Sequence, residues 1–253
     1  MNRIIDIINL HNKEMNLTES LKLNSNTQIY DKRKDYKFFP KDKEELKQIL
    51  KDLIHQRGPN ANLNDIDTSK ITDMSYLFYR RSEQIEKIDI SNWDVSNVED
   101  MSMMFKDCNQ FSCNLSKWKP LKLKTTFEMF KNCFNFNDKI FSNTIKLENA
   151  RGMFKNCKTF NQDISDLFTE NLKITESMFM GCENFNEDIS NWKLPKLNNM
   201  NWMFSCCTNF NKDLSKWKIN KNVKKIGVFL KCINLKTIPI WYKQPINYGI
   251  SNQ

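Results

Sequence analysis

Residues Lys87 to Phe111 read KIDISNWDVSNVEDMSMMFKDCNQF, and most of the chain after them restates this phrase. Aligned on the Phe that follows Met, Leu or Val, the units are anchored at Phe78, Phe105, Phe130, Phe154, Phe179, Phe204 and Phe229. Successive gaps are 27, 25, 24, 25, 25 and 25 residues. A period in this range marks units that bury their apolar faces by stacking on one another.

Each unit has two phases. In the first, Val98, Met101, Met104, Phe105 and Cys108 fall at offsets of 3, 3, 1 and 3, which predicts one helical stripe. The stripe returns as Leu123, Phe127, Met129, Phe130, Cys133 and as Leu197, Met200, Met203, Phe204, Cys207, with weaker copies at Leu147 and Leu172. Ser96 and Glu99 have the spacing of a capping box at the helix start. In the second phase, Phe160-Asn-Gln-Asp-Ile-Ser, Phe185-Asn-Glu-Asp-Ile-Ser and Phe210-Asn-Lys-Asp-Leu-Ser lead to Leu167, Trp192 and Trp217. An apolar residue between Asp and Ser on a short strand points inward while its neighbours face out. The expected fold is an α/β repeat solenoid, leucine-rich-repeat-like, of about seven coils of roughly 25 residues, each one short strand plus one short helix.

The phrases DISNWDVSNVEDMSMMFKDC and IDTSKITDMSYLF resemble the BspA-like leucine-rich-repeat surface proteins of bacteria, a domain found also in mycoplasma surface lipoproteins. The resemblance covers roughly residues 36 to 240 and implies a role in adhesion or recognition. The chain departs from the pattern at Ile66 and Leu167, which stand where Trp is expected, and at Arg81, which stands for Cys. The seventh unit slips by one, with Val223 where Asn222 would align.

The expected organisation is an N-terminal segment over 1–36, a capping helix within 37–62, the repeats over 63–240 and a tail over 241–253. Residues 13–36 are polar and read as a linker or loosely packed arm. After Pro40, Leu46, Ile49, Leu50, Leu53 and Ile54 share one helix face, Asp42, Glu44 and Glu45 lie near its start, and Gly58-Pro59 stops it. An amphipathic helix here fits a membrane or partner anchor, but its polar face carries both signs of charge, which favours a cap over the first coil. Met1 to Leu10 is apolar but is interrupted by Asp6 and Asn9 and has no small-residue cleavage site, and the first cysteine is Cys108. This predicts a cytoplasmic protein without a transmembrane segment; the resemblance implies the cell surface or secretion instead.

Among the eight cysteines, Cys108, Cys133, Cys157, Cys182, Cys207 and Cys232 each follow an anchor Phe by three residues. Equivalent positions in successive units predict a ladder of buried free thiols, leaving Cys113 and Cys206 outside it. No metal or cofactor is expected, since both histidines, His11 and His55, precede the repeats. Without a repeat His and with five Gly in the chain, neither a Ser/His/Asp set nor a phosphate loop has its parts, so a non-enzymatic protein is expected.

The net charge of +9 and the aromatic Trp118, Trp192 and Trp217 raise a nucleic-acid-binding alternative. These Trp residues, like Trp93, precede the next anchor Phe by 12 residues, a spacing that predicts a stacked core position rather than a base-stacking surface. The favoured reading is a monomeric scaffold that recognises a protein or glycan. With Ile90, Leu115, Ile140, Ile164, Ile189 and Leu214 inward, the displayed rows run Asp89, Asn114, Lys139, Asp163, Asp188, Asp213 and Ser91, Ser116, Phe141, Ser165, Ser190, Ser215. Asp and Ser there also suit turn hydrogen bonds. The fourth unit breaks both rows with Lys139 and Phe141, a cation beside an aromatic, which places the centre of a partner site there. Restoring the consensus with Lys139→Asp and Phe141→Ser is expected to leave the fold intact.

Overall fold

The computed structural model describes residues 35–243. The chain divides into two units, Met1–Asp35 and Tyr36–Gln253, and the described residues after Asp35 all belong to the second. The expectations for the leader-like Met1 to Leu10, for the polar arm over 13–36 up to residue 34, for His11, and for the tail beyond Lys243 lie outside the described residues.

Helix α1 spans Lys43–Arg57. Asp42 caps it, its carboxylate accepting the N–H groups of Glu44 and Glu45, while Glu44 and Glu45 complement the positive end of the helix. Gly58, at φ 77°, closes it by donating its N–H to the Ile54 carbonyl. Leu46, Leu50, Leu53 and Ile54 are buried and join the same core as the first repeat residues. Lys43 reaches from α1 to Asp73 at 3.0 Å, and Arg57 grips Asp65 with two bonds of 2.9 Å.

The repeats are not strand-plus-helix coils, which overturns the expected α/β, leucine-rich-repeat-like architecture. Among the described residues α1 is the sole α-helix, joined by one 3₁₀ turn at Ser82–Gln84, and pairing between units is by isolated parallel bridges rather than strands. One column of bridges runs through Asp73, Asp100, Thr125, Asn149, Ile174, Asn199 and Lys224, linking each unit to the next. The units therefore stack as coils, but each coil is built of turns.

The cause is local. Every coil holds two left-handed positions. The first column is Tyr76, Met103, Glu128, Gly152, Ser177, Trp202 and Gly227, and the second is Arg80, Asp107, Asn132, Asn156, Gly181, Cys206 and Lys231. These residues have φ between +51° and +75°, and such a residue cannot sit inside a right-handed helix. Hydrogen bonding instead alternates. Met101, Met103, Phe105 and Asp107 donate to Thr125, Phe127, Met129 and Lys131 of the next coil, while Met104, Lys106 and Cys108 donate three residues back to Met101, Met103 and Phe105. Overlapping four-residue turns also return an apolar side chain at offsets of three, so they reproduce the stripe read as helical. The capping box fails for the same reason: Glu99 N–H donates to Thr72 of the previous coil, and Ser96 N–H donates to the Asp94 side chain.

Inside the stack the repeated residues form columns. The anchor Phe rings lie parallel at 5.4 Å between Phe78 and Phe105 and at 5.6 Å between Phe130 and Phe154. A second Phe column packs beside them, with Phe154 and Phe160 at 4.1 Å. Trp93 and Trp118 stack at 6.5 Å, Trp192 and Trp217 at 6.2 Å, and each of these indoles donates its N–H to a carbonyl of the preceding coil. The six ladder thiols are free and buried, and each donates to the anchor-Phe carbonyl one coil back at 2.8–3.0 Å. On the outside, Asn137, Asn161, Asn186 and Asn211 each accept a backbone N–H from the following coil, which fixes the stacking distance coil by coil.

Candidate functional site

The displayed Asp and Ser rows form turns within their own coils. Asp89, Asn114, Asp163, Asp188 and Asp213 accept the N–H two residues on, from Ser91, Ser116, Ser165, Ser190 and Ser215, at 2.8–3.0 Å. Backbone bonds from Ser165 and Ser190 hold the Asp163 and Asp188 carboxyls below the usual range, and at Asp213 the Ser215 hydroxyl leads the same effect. Asp163, Ser165, Asp188 and Ser190 meet with Glu187 and Asn191 around a shallow depression of about 330 Å³. Asp89, Asn114, Asp213 and Ser215 lie in the same rows but outside that depression.

The expected centre of the site is not there. Lys139 is exposed, but Phe141 is 1% exposed and stacks on Trp118 at 6.2 Å. Between the inward apolar residue and the Trp position, other coils hold two residues, as in Ile90-Ser-Asn-Trp93; here Ile140 runs straight into Phe141. The shortened turn carries Phe141 out of the Ser row and into the Trp column, and leaves Ile140 only partly buried. An aromatic in that column is core and cannot anchor a partner.

A second surface emerges on the turn face, along the first left-handed column. A groove of about 360 Å³ crosses it, lined among others by Glu128, Gly152, Glu176, Ser177, Met180 and Trp202. Its floor exists because the first left-handed column narrows to Gly152 and Ser177 between the larger Glu128 and Trp202. The acids of the groove are already paired. Glu128 accepts Lys106 at 2.7 Å and Lys131 at 2.8 Å; burial alone would raise its carboxyl, but these bonds hold it low. Glu176 forms an ion pair with Arg151 at 3.1 Å and accepts a hydrogen bond from the Asn199 amide at 2.7 Å.

Trp202 differs from the five other Trp residues. It is 37% exposed, stands at φ +53°, and its indole N–H donates to none of the described residues, whereas Trp93, Trp118, Trp192, Trp217 and Trp241 all donate to carbonyls. Its pyrrole edge lies against Gly227, where an added Cβ would stand 2.6 Å from Trp202 Cδ1. Trp is a poor residue for a left-handed position that Gly152 and Gly227 occupy without strain. Because Tyr76, Met103, Glu128 and Ser177 share that φ in their own coils, it is the large, partly exposed ring and not the backbone angle that sets Trp202 apart. The periodic alignment hides Trp202, because it falls outside the Trp column; the departure itself, a Trp directly before the Met-Phe anchor, is the signal that could have found it.

Among the described residues no group of three or more His, Cys, Asp or Glu is placed to hold a metal ion, and no helix is long and apolar enough to cross a membrane. A cleft of about 840 Å³ between α1 and the first coil is lined by Lys51, Asp52, His55, Arg81 and Glu83 among others. In comparison with known proteins, residues 45–146 and 141–240 each match the family model described as "Mycoplasma protein of unknown function, DUF285". No curated protein and no solved structure matches the chain.

Proposed function

We propose, for a chain that belongs to the mycoplasma DUF285 repeat family, a non-enzymatic recognition or adhesion scaffold whose contact surface is the groove beside Trp202. The observation that carries this reading is a partly exposed indole whose N–H donates to none of the described residues, set in a groove whose floor is cleared by small residues. Trp in a concave, partly desolvated setting is the residue type that dominates binding energy at interfaces. The resemblance to BspA-like surface proteins supports adhesion as the setting. The Asp163–Ser190 depression takes second place, since turn hydrogen bonds already account for its side chains.

The nucleic-acid alternative loses the residues that suggested it: Trp118, Trp192 and Trp217 are buried and cannot stack on bases. Binding of single-stranded DNA that falls steeply with salt would restore it. The test of the recognition reading uses the immobilised full chain against surface extracts and glycan arrays, beside Trp202→Ala and Lys139→Ala. A genuine ligand is lost with Trp202→Ala and kept with Lys139→Ala; ligands that ignore Trp202→Ala overturn this placement of the surface.

A further inference from the structure

The groove's charged groups are unevenly committed. Glu128 and Glu176 are neutralised by Lys106, Lys131 and Arg151. The side-chain ammonium of Lys155, which also lines the groove, forms no ion pair or hydrogen bond with the described residues, and neither does the Trp202 indole N–H. What the groove offers a ligand is therefore a partly exposed indole and one unpaired ammonium, in a protein of net charge +9. These features together call for a ligand with a flat apolar side and a negative charge nearby.

The backbone narrows the choice. Across the groove Gly152, Phe154 and Asn156 donate to Glu176, Met178 and Met180, and Ser177 and Gly181 donate to Asn201 and Ser205. Every one of these N–H groups is spent on the next coil, so an extended peptide finds no edge here on which to add a strand. Recognition has to run through side chains, which suits a ligand that brings its own hydroxyls. A volume near 360 Å³ is at the small end for ligand pockets, room for a few sugar rings rather than a folded partner.

We propose that this groove binds an anionic glycan, with a pyranose ring laid on the Trp202 indole and the ring's carboxylate or sulfate facing the Lys155 ammonium. This assignment rests on the recognition reading of the groove and specifies its ligand class. Paired acids then keep the groove from repelling the anion, and the Gly152–Ser177 floor lets the ring lie flat.

The experiment titrates the full chain with a hyaluronan tetrasaccharide, which carries uronic acids, with chitotetraose, which is neutral, and with a chondroitin sulfate tetrasaccharide. A Glu-rich peptide is the non-sugar arm. The expected result is at least tenfold tighter binding of the hyaluronan or the sulfated tetrasaccharide than of chitotetraose. Lys155→Ala should erase that preference and Trp202→Ala should weaken all sugars tenfold or more, with circular dichroism unchanged. The relative strength of the carboxylated and sulfated sugars identifies the anion. Should Trp202→Ala fail to fold, the Lys155→Ala arm alone decides. Equal binding of chitotetraose, or anion preference that survives Lys155→Ala, overturns the proposal. Absence of binding by all three sugars at millimolar concentration also overturns it. Binding of the Glu-rich peptide alone, lost with Trp202→Ala, overturns the glycan class while leaving the recognition reading standing.

Discussion

The thiol of Cys157 donates to the backbone carbonyl of Phe130, one coil back, at 3.0 Å. Five more pairs repeat this contact, so each ladder thiol adds a second donor to a carbonyl that already accepts the backbone N–H three residues on in its own coil. Under native conditions a maleimide should label Cys206, the one half-buried thiol, and few others, while in denaturant all eight should react. Three or more disulfides by mass spectrometry, or rapid native labelling of Cys157, would contradict the ladder.

The same burial sets an alkaline limit. It raises the Cys108 and Cys232 thiols from the ordinary 9.0 to about 12, and Cys133, Cys157 and Cys207 well above 9.0. A folded value above the unfolded one means stability is complete below pH 9 and is lost as pH rises toward the folded values, because the unfolded chain ionises first. Each such thiol removes about 1.4 kcal/mol per pH unit over that window. Denaturant midpoints should therefore fall steeply above pH 9, and Cys157→Ala should make the fall shallower. A flat profile to pH 11 would refute this.

Phe154 stacks against Phe130, Phe160 and Phe179 at 4.1–5.7 Å and is fully buried. Phe154→Ala should cost about 3–5 kcal/mol by chemical denaturation. Phe229, with a Phe coil on one side and Trp241 and Tyr242 on the other, should cost less when truncated. Equal and small effects would deny the stacked core.

The columns are legible in the sequence, since identical side chains 25 residues apart can share one buried environment. The Trp, Phe and Cys columns follow from period alone, and α1 from its apolar face and cap. The backbone path is not legible. Offsets of three fit both a helix and a chain of turns, and only the left-handed positions separate them. Glu128, Met103 and Trp202 give no hint of positive φ; of that column Gly152 and Gly227 alone do. Trp202 escapes a periodic reading because its place in the coil is one that no other Trp shares.

Phe141 is the opposite case, a departure that suggests display although a two-residue deletion has moved it inward. Lys139→Asp with Phe141→Ser should not leave the fold intact. Removing the ring from between the Trp118 face and the core should cost about 3–5 kcal/mol, with Lys139→Asp alone near neutral. A Phe141→Ser midpoint equal to wild type would return Phe141 to the surface.

The junction of α1 with the first coil rests on Arg57 and Asp65. The guanidinium donates two parallel bonds to the carboxylate and a third to the Asn62 carbonyl, with Phe38 5.8 Å beneath it. Bidentate geometry makes this pair stronger than an ordinary surface ion pair, and Arg57→Ala should cost on the order of 1–2 kcal/mol. The Arg57 hydrogen bonds hold the Asp65 carboxyl below its ordinary 3.8, outweighing the effect of burial. A depressed folded value means that the contribution is complete above the unfolded value and fades as pH falls through the folded one. The difference in stability between wild type and Arg57→Ala should therefore be constant from neutral pH down to about 4 and shrink below it. Arg57→Lys keeps the charge but not the fork, and should recover less than half of the loss. A difference that stays the same at pH 3 would show that Arg57 acts by packing on Phe38 rather than through Asp65.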